Sequence, residues 1–185
     1  MLDKLYAKIQ SFYETDGLVF GDGKRNADFM LIGEAPGKDE VLQKKAFVGK
    51  AGKNLADFLE VLGLCRQELF ITNVCKFRPF KVSEKNTVSN RPPTKKEIVE
   101  AMDFLHEEVA LVSPKMLVTL GNTPLRAVTG DFSATVGDFH GKATKVTVLG
   151  IEYPLFALYH PASIIYNRSL KEVYEQDLRA LKEMI

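Results

Sequence analysis

Four short apolar runs, spaced by helical patterns, constrain this chain more than any other feature. They are residues 28–32 (DFMLI), 69–74 (LFITNV), 115–120 (KMLVTL) and 154–159 (PLFALY). Each is too short for a helix and lacks polar alternation, as expected of strands buried on both faces. Between them, residues 51–64 place Leu55, Phe58, Leu59 and Leu62 on one helical face. A second helix opens at Thr94 with Glu97 three residues on, a capping box just after Pro92-Pro93. It carries Ile98, Met102, Leu105 and Val109 at helical spacing. A third starts near Asn122-Thr123-Pro124 and stops at Gly130; a last one runs from Ser169 through Val173, Leu178 and Leu181. Such alternation predicts an α/β fold, a parallel sheet packed between helices. Residues 80–93 (FKVSEKNTVSNRPP) are polar and aperiodic and read as an exposed loop.

A length of 185 residues suits one compact domain, and no linker or repeat interrupts it, so we expect a single domain over 1–185. Lys+Arg at 25 against Asp+Glu at 24 gives a net charge of +1. A nucleic-acid surface would therefore depend on local segregation of basic residues. No apolar run approaches the roughly 20 residues of a membrane span. Residues 1–17 read as a short amphipathic helix, without the pattern of a signal peptide. Cys65 and Cys75 alone make neither a disulfide framework nor a four-cysteine metal site. A reduced, cytoplasmic setting is the expectation.

The chemistry-bearing segments all fall at the ends of the four runs, where open parallel sheets bind ligands. GEAPGKDE (33–40) follows the first, with AFVGKAG (46–52) close behind it, and Gly121-Asn122-Thr123 follows the third. Two readings are open for GEAPGKDE and AFVGKAG: a strand-to-helix turn with an anion-binding character, or a shaped ligand loop presenting Glu34, Asp39 and Glu40. Phe47, between two glycine-bearing loops, is either a core residue or an aromatic that stacks on a planar ligand. Asn73 ends the second run, as a cap or as an amide presenting donor and acceptor side by side. His160, before Pro161 at the end of the fourth, is either structural or a polar group at the ligand. Ile164, Ile165 and Tyr166 follow with no polar cover, a pattern that suits a wedge between base pairs.

Taken together, GEAPG with FVGKAG, ITNVCKFRP, PKMLVTLG and YHPASII resemble the uracil-DNA glycosylase superfamily, most of all its type-4 members. The likeness runs from about Val19 to the C-terminus. It implies a three-layer α/β/α sandwich around a four-stranded parallel central sheet. It implies an enzyme that removes uracil from single- and double-stranded DNA, acting as a monomer. Glu34 and Glu40 would lie near the sugar and the attacking water, Glu40 being favoured for the water. Gly33, Ala35, Pro36 and Gly37 would line the base site. Phe47 would stack on the flipped base, Asn73 would read its O4 and N3–H edge, and His160 would lie against O2. Pro161, Ala162, Ser163, Ile164 and Ile165 would form the loop that fills the vacated stack.

The chain also departs from that family. Type-4 members hold an iron–sulfur cluster on four cysteines; here the N-terminal helix has none, and Phe77 and Ala101 occupy the other two positions. No cluster is expected. Tyr166 and His140 stand where arginine is commoner, and Ala35 where another branch has an acid. The same chemistry on hypoxanthine or xanthine, or a DNA-binding relative with weak turnover, is the alternative. A phosphate-binding nucleotide domain lacks support, because neither a Walker lysine nor a Rossmann fingerprint is present.

Overall fold

The computed structural model describes residues 1–161, 163 and 169–185. The four apolar runs form the middle of the sheet: β2 (Met30–Gly33), β3 (Phe70–Asn73), β6 (Leu117–Leu120) and β8 (Ile151–Leu158), mutually parallel in the order β3-β2-β6-β8. The sheet extends beyond the expected four strands. β1 (Asp22–Gly23) pairs antiparallel with β3, and β7 (Ala143–Val148) pairs antiparallel with β8, giving six. β7 and β8 are joined by Leu149 and Gly150, both at positive φ (48° and 80°), the turn whose twist suits a two-residue hairpin.

Residues adjacent in a strand face opposite ways, and the core divides accordingly. Met30, Ile32, Leu117 and Leu155 pack on one face against α4 (Lys95–Val112) and α5 (Asn122–Thr129). Phe29, Leu31, Val118 and Phe156 pack on the other, against α3 (Gly49–Leu62) and α7 (Leu170–Lys182). The result is three layers, α/β/α. α1 (Leu2–Tyr13) lies outside them against α4, through Leu5, Ile9 and Phe104.

Helix ends follow local chemistry. Thr94 and Glu97 make the reciprocal capping box: Glu97 N–H donates to Thr94 Oγ1 at 3.3 Å, and Thr94 N–H to Glu97 Oε2 at 2.6 Å. α3 stops at Gly63 (φ 73°), two residues before the end anticipated from hydrophobicity, because glycine enters the left-handed conformation that closes a helix. α5 ends the same way at Gly130. The 80–93 segment, expected as a loop, contains a hairpin of β4 (Phe80–Val82) and β5 (Val88–Asn90), every residue of it exposed. Its strands alternate over only three residues each, too few to stand out in a polar stretch. α2 (Lys38–Gln43) and α6 (Val136–Phe139) are short connectors. Among the described residues no helix is long and apolar enough to cross a membrane.

Candidate active site

β2 is the first strand of the parallel set in chain order; β3 lies on one side of it and β6 on the other. The winding direction therefore reverses between β2 and β6, the switch point at whose carboxyl ends such sheets form their ligand crevice. Two side chains meet across it. Thr123, one residue into α5, donates its hydroxyl to Glu34 Oε2 at 2.6 Å. Glu34 Oε1 has no hydrogen-bond partner among the described residues.

The floor of the crevice is Gly33, which pairs with Asn73 in register on the neighbouring strand. A methyl group at Gly33 would lie 2.6 Å from Phe47 Cζ and would collide with Asn73 Oδ1. Only a residue without a side chain lets the ring and the amide converge over the strand end. Past the strands the pairing continues: Val74 N–H donates to Gly33 O (2.9 Å) and Cys75 N–H to Glu34 O (3.1 Å). Asn73 is buried, at 4% exposure, and its carbonyl accepts from Lys76 Nζ at 2.7 Å.

Lys76 is itself inside the protein, paired with Glu108 of α4 at 2.6 Å; both side chains are essentially inaccessible. Thr72 Oγ1 donates to Glu108 Oε2, and the Tyr6 hydroxyl of α1 donates to Oε1. Burial and the Glu108 charge push the Tyr6 phenol far above its usual range, so it stays a donor.

Phe47 is buried and adopts φ 53°, a conformation uncommon for a bulky residue. Its loop is pinned from two sides. Glu40, 6% exposed, accepts Gly37 N–H through Oε2 (3.0 Å) and Val48 N–H through Oε1 (3.2 Å), tying the two glycine loops together. On the other side the Arg66 guanidinium donates to the carbonyls of Ala46 (2.7 Å) and Phe47 (3.2 Å). Opposite Phe47 stands His160, its Cβ 3.4 Å from where a methyl group on Gly121 would sit. A cavity of about 10 Å³ lies between Phe47, Leu120, His160 and Tyr174. It has room for about one water molecule. Burial holds the His160 imidazole below its usual 6.5, against an upward pull from the Glu34 carboxylate. The ring is therefore neutral near pH 7.

The expected site residues separate into groups. Gly33, Glu34, Phe47, Asn73 and His160 converge on the crevice. Ala35, Pro36 and Gly37 form the loop leaving β2. Both oxygens of Glu40, favoured from the sequence for orienting water, accept hydrogen bonds from backbone amides. Pro161 and Ser163 are partly buried, with Ser163 N–H donating to His160 O at 2.8 Å. Ala162, Ile164 and Ile165 lie outside the described residues. Sequence reading missed Arg66, the contact of Thr123 with Glu34, and the Lys76–Glu108 pair. Two of these left a signal: Thr123 lies in the Gly121-Asn122-Thr123 segment that follows the third apolar run, and Glu108 sits on the apolar stripe of its helix beside Leu105, Val109 and Val112.

A four-cysteine cluster does not fit the residues present. Cys65 is exposed; Cys75 is buried, its thiol pushed up to about 12 by burial. Phe77 packs against Tyr13 at 5.0 Å between ring centres, and Ala101 is buried in the core. Among the described residues no three His, Cys, Asp or Glu side chains group to hold a metal ion.

A three-layer sandwich with aromatic, amide and imidazole groups gathered at its topological switch point defines a ligand-binding α/β class. The model of the uracil DNA glycosylase superfamily matches residues 20–182, and the chain belongs to that superfamily. It is 33% identical to the type-4 uracil-DNA glycosylase of Archaeoglobus fulgidus, over 99% of this chain and 92% of that protein. It is 34% identical to the type-4 enzyme of Saccharolobus solfataricus, over 89% of this chain and 74% of the relative. The crystal structure of Pedobacter heparinus SMUG2 shares the fold, with a TM-score of 0.60 at 14% identity, covering 86% of this chain and 76% of that one.

Proposed function

We propose that the chain is a DNA-repair glycosylase that turns uracil out of DNA and hydrolyses its N-glycosidic bond, leaving an abasic site. The observation that carries this reading is the convergence of Phe47 and Asn73 over the bare Gly33, with Glu34 and neutral His160 nearby. Phe47 forms the aromatic wall against which the base stacks. Asn73 pairs its amide with uracil O4 and N3–H, and cytosine, with reversed polarity, leaves that buried amide unmatched. As the glycosidic bond breaks, negative charge grows on N1 and O2 of the base. His160 donates a hydrogen bond to O2, and one well-placed donor contributes about 3 kcal/mol.

The sugar becomes cationic in the same step. We assign its electrostatic partner to Glu34, which is oriented by Thr123 and keeps one oxygen without a hydrogen-bond partner among the described residues. That oxygen also suits the positioning of water. Glu40 serves as the tie between the two loops. The segment 161–165 fills the space the base leaves. The protein acts as a monomer in the cytoplasm, on single- and double-stranded DNA, and without an iron–sulfur cluster.

Single- and double-stranded oligonucleotides carrying uracil, hypoxanthine or xanthine, followed by alkaline cleavage at abasic sites, test the reading. Uracil strands should be cut, and Asn73→Ala or His160→Ala should slow cutting by roughly 10²–10³-fold without unfolding the protein. Cutting of hypoxanthine or xanthine but not uracil would move the specificity; DNA binding with no cutting of any strand would remove the enzyme. Protein purified without oxygen should be colourless and iron-free; a brown, iron-containing protein contradicts the cluster-free assignment.

A further inference from the structure

The left-handed backbone at Phe47 needs an agent to hold it, and the structure supplies one outside every motif of the sequence. Arg66 opens the short 3-10 helix Arg66–Glu68 that leads into β3. Its guanidinium reaches the loop between α2 and α3, donating through Nη2 to Ala46 O (2.7 Å) and through Nη1 to Phe47 O (3.2 Å). The same Nη2 donates to Asp22 Oδ1 on edge strand β1 at 2.9 Å. Arg66 is thus held from behind by a carboxylate and bonded in front to two successive carbonyls. One rigid planar fork makes this arrangement; the single ammonium of a lysine cannot span it.

Both carbonyls belong to the residues that carry the aromatic ring over Gly33. Turning Phe47 to an ordinary negative φ would reorient these peptide groups and break the fork. We propose that Arg66, anchored by Asp22, is a positioning residue that locks Phe47 in the conformation in which its ring walls the base site. The claim rests on the reading of Phe47 as the residue against which the base stacks. Arg66 touches neither base nor sugar and acts only through the loop. Because it also starts the segment leading to Asn73, it ties the stacking wall to the strand that carries the reading amide.

A double-substitution cycle tests the proposal, with uracil excision measured in single-turnover reactions and melting temperature measured alongside. Arg66→Ala should lower the excision rate about 10- to 100-fold when Phe47 is present. In a Phe47→Ala background the same substitution should change the rate less than about twofold, because there is no ring left to position. Equal losses in both backgrounds, or no loss in either, overturn the proposal.

A second readout needs no turnover. The Lys45 and Val48 amides are bonded to the Glu40 carbonyl and carboxylate, respectively, and their hydrogen exchange reports on the loop. Exchange at both should accelerate at least about tenfold in Arg66→Ala while β3 amides stay protected. Unchanged exchange overturns the positioning role even if the protein excises nothing. Absence of excision by the wild-type protein, with accelerated loop exchange in the variant, counts against the glycosylase reading and leaves the loop lock standing.

Discussion

At His160 burial and charge pull in opposite directions. Burial disfavours the imidazolium, the Glu34 carboxylate favours it, and burial prevails, so the folded protein holds the ring below 6.5. In the window between that depressed value and 6.5, the unfolded chain binds a proton that the folded chain refuses. Stability therefore falls as pH drops through this window, and the loss is complete below the folded-state value. Urea melts from about pH 7 down to about pH 5 should show this slope, and it should be absent in His160→Gln. Activity should follow the neutral ring, so the acid limb of the kcat/KM profile belongs below 6.5. A limb above that value contradicts a neutral donor at O2. These positions were legible as candidates because His160 and Asn73 are distinctive types at strand ends and Phe47 is an aromatic between two glycine-bearing loops. The hydrogen-bond partners of the two glutamates were not, since spacing does not say which carboxylate the amides of a loop will capture.

Among the elements, the β4–β5 hairpin shows how a local tether makes structure from polar sequence. Its base is held where Arg91 donates to both oxygens of Glu97, at 2.7 Å each, while Arg91 N–H bonds Pro79 O. Arg78 donates to Asn90 Oδ1 at 2.7 Å, and Asn90 Nδ2 stands 3.2 Å from where a methyl group on Gly37 would sit. The hairpin thus rests against the first glycine loop. Arg91 and the capping bonds of Thr94 hold the Glu97 carboxyl down to about 2. An acid with a depressed value contributes above its unfolded 4.5, and the contribution fades as pH falls toward 2. Arg91→Ala should accelerate amide exchange at Ser83 and Asn86 in the hairpin turn while moving the melting temperature only slightly, because the pair is half-buried at the surface and tethers a peripheral hairpin. The wild-type hairpin should loosen in the same way below pH 4.5. A change in melting as large as that of a core substitution would show the tether to be part of the main cooperative unit. The strands that sequence reading missed, β1, β4, β5 and β7, all lie at edges or on the surface, where composition is free and pairing is decided by neighbours. The four central strands and the capped helix α4 were legible because burial on both faces and the capping box leave their mark in residue type.

For the molecule as a whole, the Lys76–Glu108 pair joins the N-terminal helix, the central sheet and α4 through Tyr6, Thr72 and the Asn73 carbonyl. Removing one member leaves an uncompensated buried charge, which costs about 3–5 kcal/mol. Glu108→Ala should lose roughly that much in denaturant melts, and Lys76→Met with Glu108→Leu should recover most of it. A single substitution that costs nothing would mean that water reaches the pair. The three-layer architecture followed from hydrophobic periodicity, whereas this polar junction forms only when three distant segments meet, which no local pattern encodes. The register of Gly33 with Asn73 has a consequence of its own. Gly33 and Asn73 share one rung on neighbouring strands, so their separation is fixed by the strand spacing of about 4.8 Å rather than by a loop. Thermal breathing carries both together, and the choice between two pyrimidines that differ at one ring edge should hold nearly constant on warming until the sheet itself gives way.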